Sequence, residues 1–347
     1  MLRDKFFAPL GALRHDSPRT VTTQAMNPIQ RIDRLIGGSL FIAGTTIGAG
    51  MVALPITTGV AGFWPACALI VAVFFYMLAS IFLLLEANFY CHDPHINIIG
   101  MAKKLIGPQA EWLAWLSFLV LLYAASAAYI EGSAEILHSL ITAYSAQTPT
   151  LSTTAIAFTL SLAVIAYCGI RWMDALNRLL MLGLLLSYFI SVSALLPQIE
   201  PSYLNAHHPS ALWASIPVVV LSFTAHIVLP SLRSYLNDDV QQLRRAILYG
   251  MSIPLLMYLI WQVSLLGLFP HQGERSILAI ANSPTPLATL THLLSTSPRT
   301  LMAATSNAAF SFFAMLTTLV GCILALCDFL SDGLCIQKSP LGRLILL

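Results

Sequence analysis

The chain has 347 residues, of which 57% are hydrophobic and only 9% are charged. Soluble domains carry about a quarter charged residues, so this composition excludes an ordinary soluble protein and indicates a membrane protein. The formal net charge of +2 is too small to suggest a nucleic-acid-binding protein.

The N-terminal segment is polar and mixed, and it lacks the short apolar core of a signal peptide. Residues 1–34 are therefore predicted to form a cytoplasmic tail. Met26 lies just before the first apolar run, so either Met1 or Met26 could be the true start. A transmembrane domain is predicted over 35–332, followed by a cytoplasmic segment over 333–347.

Eight runs are apolar and long enough to cross a bilayer as helices, which takes about 20 residues each. They lie at approximately 35–56, 63–90, 112–135, 152–170, 176–197, 211–232, 246–270 and 301–330. Lys and Arg concentrate on the cytoplasmic side of membrane proteins. With a cytoplasmic N-terminus, fifteen of the 17 basic residues fall on that side, and only Arg275 and Arg299 fall outside. The sequence therefore predicts a multi-pass protein with both termini in the cytoplasm.

The first run is rich in glycine, with Gly44, Gly48 and Gly50 around Thr45 and Thr46. Each interior glycine costs a helix up to about 1 kcal/mol relative to alanine, and unwound backbone survives in a membrane only where it is buried or lines a cavity. A break here would offer amides to a carboxylate and carbonyls to an ammonium group, the two charged groups of an α-amino acid. The alternative, a G-x-x-x-G helix-packing face of Gly44 and Gly48, leaves Gly50 and the threonines unexplained.

The sixth run carries a second candidate break. Pro217 and Pro230 flank the polar stretch 222–226, and a proline removes a helix hydrogen bond. Inverted-repeat transporters have interrupted helices at corresponding positions of their two halves, with the substrate site between them. The two breaks together therefore predict one binding site between the first and sixth spans.

Four side chains at membrane depth are candidates for coupling transport to protons. Glu131 lies in the third run, and His226, a residue type that titrates near neutral pH, lies in the sixth. A neutral histidine bonded to a neighbouring helix is the alternative for His226. Thr317 and Thr318 could supply hydroxyl oxygens to the first break, or they could serve helix packing. The carboxylates predicted to be interfacial or structural are Glu135, Asp328 and Asp332.

Neither an enzyme nor a metal or cofactor site is predicted. The sequence has no nucleophile motif, phosphate-binding loop or H-E-x-x-H at a suitable position. The six cysteines lie mostly inside apolar runs and form no C-x-x-C pair, which indicates small buried side chains rather than zinc ligands.

The residues around the first break resemble the opening helix of the hydroxy and aromatic amino acid permease family, part of the amino acid/polyamine/organocation superfamily. Further resemblances follow in chain order and cover nearly all of the chain after Arg34. The similar segments are Gly38–Pro55, Leu83–Glu86, Ala127–Ile130, Gly132–Leu137, Asn177–Arg178, Leu221–Phe223, Trp261–Val263 and Asp328–Asp332.

This resemblance implies proton-driven uptake of tyrosine, or a related aromatic amino acid, through a bacterial inner membrane by alternating access. It implies an all-α, five-plus-five inverted-repeat (LeuT-like) transporter fold. The expected partners of the protein are the amino acid, protons and lipid. The oligomeric state is left open. The first break would hold the substrate's α-amino and carboxylate groups, and the third and sixth spans would line its side-chain pocket. The residues so assigned are Gly44, Thr45, Thr46, Gly48, Ala49, Gly50, Tyr129, Ser222, Phe223 and Thr224.

The chain also departs from the family pattern. The family's sixth span resembles Ser-Phe-Gly-Phe-His, where this chain has Thr224 and Ala225, so tryptophan is an alternative substrate. Glu131 stands where the family tends to have a small hydroxyl residue. The family has eleven spans and eight are predicted here, so a truncated, transport-inactive membrane fragment is the alternative to an active permease.

Overall fold

The computed structural model describes residues 28–91, 96–144, 149–168, 170–295 and 301–333, and no β-strand occurs within these stretches. Their α-helices are α1 (Pro28–Thr46), α2 (Ala49–Gly59), α3 (Phe63–Tyr90), α4 (Ile98–Leu105), α5 (Pro108–Tyr144), α6 (Leu151–Cys168), α7 (Ile170–Leu195), α8 (Ile216–Ser222), α9 (Leu229–Tyr235), α10 (Val240–Leu266), α11 (Ile277–Ala281), α12 (Pro286–Ser295) and α13 (Leu301–Gly333). Short 3₁₀ helices lie at Leu196–Gln198, Pro201–Asn205, Pro209–Ser215 and His226–Val228.

In the described part of the chain, six helical segments are long and apolar enough to cross a membrane, and a bent helix pair completes a seventh. The six are α3, α5, α7, the segment Pro209–Tyr235, α10 and α13, and the bent pair is α1 with α2. The run predicted at 152–170 is α6, whose apolar part is shorter. Seven of the eight predicted runs thus overlap a described helix or broken helix of membrane-spanning length, and the prediction of an all-α polytopic membrane protein is confirmed.

The break predicted in the first span is present. The axes of α1 and α2 are bent by 54° at Ile47 and Gly48. Gly48 has an extended backbone, with φ −160° and ψ −153°. The end of α1 and the start of α2 therefore expose backbone groups in the interior, as an interrupted membrane helix does.

The sixth span is also broken, between the end of α8 at Ser222 and the start of α9 at Leu229. Pro217 and Pro230 are the second residues of α8 and α9. At that position the amide that proline lacks would have had no partner within the helix. The prolines therefore start the two half-helices rather than interrupt a continuous one.

Both breaks lie in the largest apolar core, which draws on α1, α2, α3, α8 and α10 and on the packed pair α7 and α13. Its centre is aromatic and fully buried. The ring centroids of Trp261 and Phe310 are 4.9 Å apart, and those of Tyr188 and Trp261 are 6.0 Å apart. This cluster ties α7, α10 and α13 together beside the breaks.

Two loop residues fix where α3 and α10 begin. Gly62, before α3, has φ +92°, and a side chain there would collide with the backbone carbonyl of Ala206, so only glycine fits. Asp239 accepts hydrogen bonds from the first amides of α10 and pairs with Arg31 of α1 at 3.0 Å. Partial burial opposes ionisation of Asp239, but the hydrogen bonds from Gln242, Arg31 and the helix amides outweigh it, so its pKa lies below the usual range.

Arg233, near the end of α9, is 5% exposed and is held by three neighbouring groups. It donates to Asp238 at 2.6 Å and to the backbone and side-chain oxygens of Asn88 at 2.9 and 2.7 Å. Its guanidinium carbon lies 4.1 Å from the centroid of the Phe89 ring. Because Asn88 and Phe89 lie in the last turn of α3, this side chain clamps α9 to α3.

Candidate functional site

At the breaks, the side chain of Tyr258 of α10 bonds an end of each broken span. This residue is fully buried, and its hydroxyl lies 2.8 Å from the carbonyl oxygen of Thr46 and 2.7 Å from that of Ser222. Thr46 ends α1 and Ser222 ends α8, so both carbonyls carry the negative end of a helix dipole. The single hydroxyl proton is shared between these two acceptors. The two breaks therefore present a cluster of carbonyl oxygens suited to a cationic group.

The N-terminal end of α2 supplies hydrogen-bond donors to the same region. The amide of Ala49 donates to Oγ1 of Thr318 on α13 at 2.9 Å, and this hydroxyl donates to the carbonyl of Ala314 at 2.8 Å. The amide of Gly48 makes no hydrogen bond to the described residues. Amides at a helix start, with the positive dipole end, suit a carboxylate.

Glycine is required at two positions because other helices approach the start of α2 closely. A side chain at Gly48 would collide with the hydroxyl of Thr318. A side chain at Gly50 would collide with the hydroxyl of Ser222 and would lie 3.0 Å from its Cα. These glycines therefore let α2 touch α13 and α8 at the break, a role that the G-x-x-x-G alternative does not explain for Gly50.

Aromatic side chains border the break. Phe223 is fully buried and packs edge-to-face on Tyr258 and Phe74, with ring centroids 5.1 and 5.9 Å apart. Tyr129 of α5 is partly buried against two apolar clusters, and the larger of these contains Phe223. An apolar ring bound at the break would have aromatic neighbours on α5 and directly after α8.

Some predicted site residues lie to one side of this cluster. A side chain at Gly44 would face Met181 of α7 at 3.3 Å. Thr45 is exposed, and its hydroxyl donates to the carbonyl of Ile42 in its own helix at 2.8 Å. Thr224 donates to the carbonyl of Val220 at 3.2 Å. Thr46, Gly48, Ala49, Gly50, Ser222 and Phe223 are the predicted residues that the two breaks bring together.

The coupling candidates are dispersed. Nε2 of His226 lies 3.1 Å from the hydroxyl of Ser80 on α3, as the alternative of a histidine bonded to a neighbouring helix expects. Thr317 donates to the carbonyl of Ala314 in its own helix at 3.0 Å, whereas Thr318 reaches the first break. Glu131 is exposed on α5.

The other carboxylates have separate surroundings. Glu135 accepts a hydrogen bond from the amide of Ala288 in α12 at 2.8 Å. The side chains of Asp328 and Asp332 lie outside the described residues. The described residues contain no group of three or more His, Cys, Asp and Glu that could hold a metal ion.

Sequence reasoning missed Tyr258. It is one tyrosine in a long apolar run, and its partners are backbone carbonyls of helices far away in the chain. A pattern of side chains carries no sign of such partners, so the sequence offered no signal for it.

Thr318→Val is expected to lower the free energy of unfolding by about 1–3 kcal/mol, because it leaves the interior amide of Ala49 without an acceptor. Thr317→Val is the matched control, since that hydroxyl bonds only a carbonyl of its own helix. Denaturant unfolding of the purified protein in detergent measures both. Equal losses in the two variants would mean that the contact between Thr318 and Ala49 adds nothing to stability.

Comparison with known proteins identifies the family. Residues 31–347 match the model of the Tryptophan/tyrosine permease family. The chain is similar to Tyrosine-specific transport system 2 of Haemophilus influenzae, with 31% identity over 90% of this chain and 77% of the relative. It is also similar to a Tryptophan-specific transport protein of Pseudomonas aeruginosa, with 30% identity over 93% and 78%. A Tryptophan-specific transport protein of Shigella flexneri shows 28% identity over 94% and 78%.

Proposed function

Because the chain belongs to the tryptophan/tyrosine permease family, a family of multi-pass membrane transport proteins rather than enzymes, we propose that it takes up tyrosine with protons through the bacterial inner membrane. The observation that carries this proposal is the junction of the two broken helices at Tyr258. Similarity to a tyrosine-specific relative supports tyrosine, and similarity to two tryptophan-specific relatives makes tryptophan the second candidate.

The substrate's charged groups have matching partners at the junction. Its carboxylate accepts from the amide of Gly48 and competes with Thr318 for the amide of Ala49. Its ammonium donates to the carbonyls of Thr46 and Ser222, whose second lone pairs are available beside the shared phenol proton. An α-amino acid carries both groups on one carbon, so it can bridge the two ends of the first break.

The substrate's aromatic ring lies between Tyr129 and Phe223. Both side chains belong to the apolar core beside the break, and aromatic pairs gain about 0.5–1.5 kcal/mol beyond area burial. The hydroxyl of Thr224 donates to a carbonyl of the preceding helix, so it contributes little to binding the phenol hydroxyl of tyrosine. This arrangement favours aromatic over aliphatic amino acids more strongly than tyrosine over phenylalanine.

The alternating-access cycle rests on two further parts of the proposal. The five-plus-five inverted repeat stays a prediction, supported by breaks in the first and sixth spans. The distribution of basic residues supports cytoplasmic termini, and α2 then runs from the break towards the outside. Of the coupling candidates Glu131, His226, Thr317 and Thr318, His226 lies within the broken segment itself.

Uptake by the purified chain in liposomes tests the function. With acid outside, labelled tyrosine is expected to accumulate inside, and a protonophore is expected to abolish accumulation because the proton gradient is the only energy source supplied. Unlabelled tryptophan and phenylalanine compete, whereas alanine does not. Uptake that persists without a proton gradient would contradict the coupling, and binding without uptake would favour the transport-inactive alternative.

A further inference from the structure

Helix α12 inserts its first turn into the core near the candidate site. Its buried face consists of Leu287, Leu290 and Leu294, and it packs on α5 and α13. The carboxylate of Glu135 on α5 accepts the amide of Ala288 in that first turn at 2.8 Å. A negative charge at a helix start is stabilised by the exposed amides and the helix dipole. Glu135 thus holds α12 against α5.

Leu287 reaches the level of the site. A side chain added at Gly132 of α5 would collide with Met315 of α13 and lie 3.8 Å from Leu287. Tyr129 is three residues from Gly132, and Thr318 is three residues from Met315. Leu287 therefore lies about one helical turn from two residues that border the break.

Near α12, α13 carries two buried polar side chains that bond none of the described residues. Asn307 and Ser311 are each 1% exposed, and neither the amide group of Asn307 nor the hydroxyl of Ser311 bonds any described residue. Spacings of four and seven residues place Asn307, Ser311 and Thr318 on one face of the helix. Buried polar groups are normally hydrogen-bonded to protein or water. Water could satisfy these groups if a path reached this face in another conformation.

We propose that α12 is a lid over the outer path to the substrate site, and that Glu135 is a latch through which external pH controls the lid. When Glu135 is ionised, its charge and hydrogen bond hold the start of α12 and Leu287 plugs the path. When the carboxylate takes one proton from external water, the charge at the helix start is lost, the latch weakens and α12 lifts. The terms outer path and substrate site rest on the function proposed above.

The surroundings of Glu135 hold few other ionisable groups. On α5, Glu131 lies one turn before and is exposed, and Nε2 of His138 lies 3.1 Å from the carbonyl of Pro149. On α12, His292 is exposed towards the other end of the helix. The neighbouring α2 and α11, and α13 as far as Cys327, contain no Asp, Glu, His, Lys or Arg. Glu135 is therefore the charged group that bonds the lid.

Access of a membrane-impermeant thiol reagent to Ser311→Cys tests the latch. A positively charged methanethiosulfonate is added outside sealed vesicles, and peptide mass spectrometry separates the new cysteine from the native ones. Glu274→Cys, in an exposed loop, corrects for the pH dependence of the thiol reaction itself. After this correction, labelling at Ser311→Cys is expected to be about tenfold faster at mildly acidic than at neutral external pH.

Added Glu135→Gln makes labelling fast at both pH values, because the amide mimics the protonated carboxyl. His292→Gln, on the exposed side of α12 near its other end, is the control and leaves the pH response intact. Leu287→Ala, with the latch in place, speeds labelling but keeps the pH response. Slow labelling in Glu135→Gln at both pH values overturns the latch, and unchanged labelling in Leu287→Ala overturns the lid. The readout needs no substrate, so a working latch in a chain that fails to bind tyrosine would refute the proposed function alone.

Discussion

Gly50→Ala is expected to lower the affinity for tyrosine by about tenfold to a hundredfold, since displacements near 1 Å have effects of this size. The new methyl group would collide with the side chain of Ser222 and lie 3.0 Å from its Cα. Backbone cannot yield as a flexible side chain does, so α2 must shift away from α8. That shift separates the amides proposed to hold the carboxylate from the carbonyls proposed to hold the ammonium. Calorimetric titration of the purified protein with tyrosine measures the loss.

Gly321→Ala on α13 is the control for Gly50→Ala, because a side chain at 321 meets nothing within 4 Å. It is expected to bind tyrosine as the unaltered chain does. Adding Ser222→Gly to Gly50→Ala removes the colliding side chain and is expected to recover part of the affinity. If Gly50→Ala alone binds tyrosine normally, the contact between α2 and α8 does not form the binding site.

Tyr258→Phe is expected to lower the free energy of unfolding by about 1–3 kcal/mol, because the carbonyls of Thr46 and Ser222 lose their buried donor. The ring remains, so its packing against Phe223 is kept and the loss reports the hydroxyl. The helix ends that meet at the breaks also lose their common tether, so tyrosine affinity falls with stability. Denaturant unfolding in detergent and titration with tyrosine give the two numbers.

Tyr249→Phe serves as the control for Tyr258→Phe. It removes the same atom from the same helix, but Tyr249 is 51% exposed. Its expected effect on unfolding lies within a few tenths of a kcal/mol. A comparable loss in both variants would show that the hydroxyl of Tyr258 does not join the two breaks in the folded protein.

The spans and both breaks could be predicted from the sequence because the membrane penalises unsatisfied backbone. Glycine and proline are costly inside lipid-facing helices. Their presence at 44, 48, 50, 217 and 230 therefore predicts interrupted helices in the protein interior. The structure adds which of them matter for contact. Gly48 allows close contact with α13 and Gly50 allows close contact with α8, whereas Gly44 faces α7.

Contacts between distant segments could not be predicted. Thr45 and Thr46 are adjacent in sequence but point about 100° apart around the helix, and only the fold decides which one is buried. Glu135 was predicted to be interfacial or structural, but its partner is α12, a helix too short to register among runs of spanning length. Hydropathy indicates which side chains face lipid. It does not predict which backbone amide will donate a hydrogen bond to a carboxylate.

The clamp at Arg233 sets how the sixth span can move. Since the guanidinium binds Asn88, Asp238 and the ring of Phe89 at once, α9 and the end of α3 form one rigid unit. A rotation of this unit would change the backbone angles where regular helix hydrogen bonds are missing, at 223–225 between α8 and the following 3₁₀ turn. The hinge therefore begins one residue after Ser222, whose carbonyl Tyr258 holds. A rotation of α9 would displace the junction of the two breaks first.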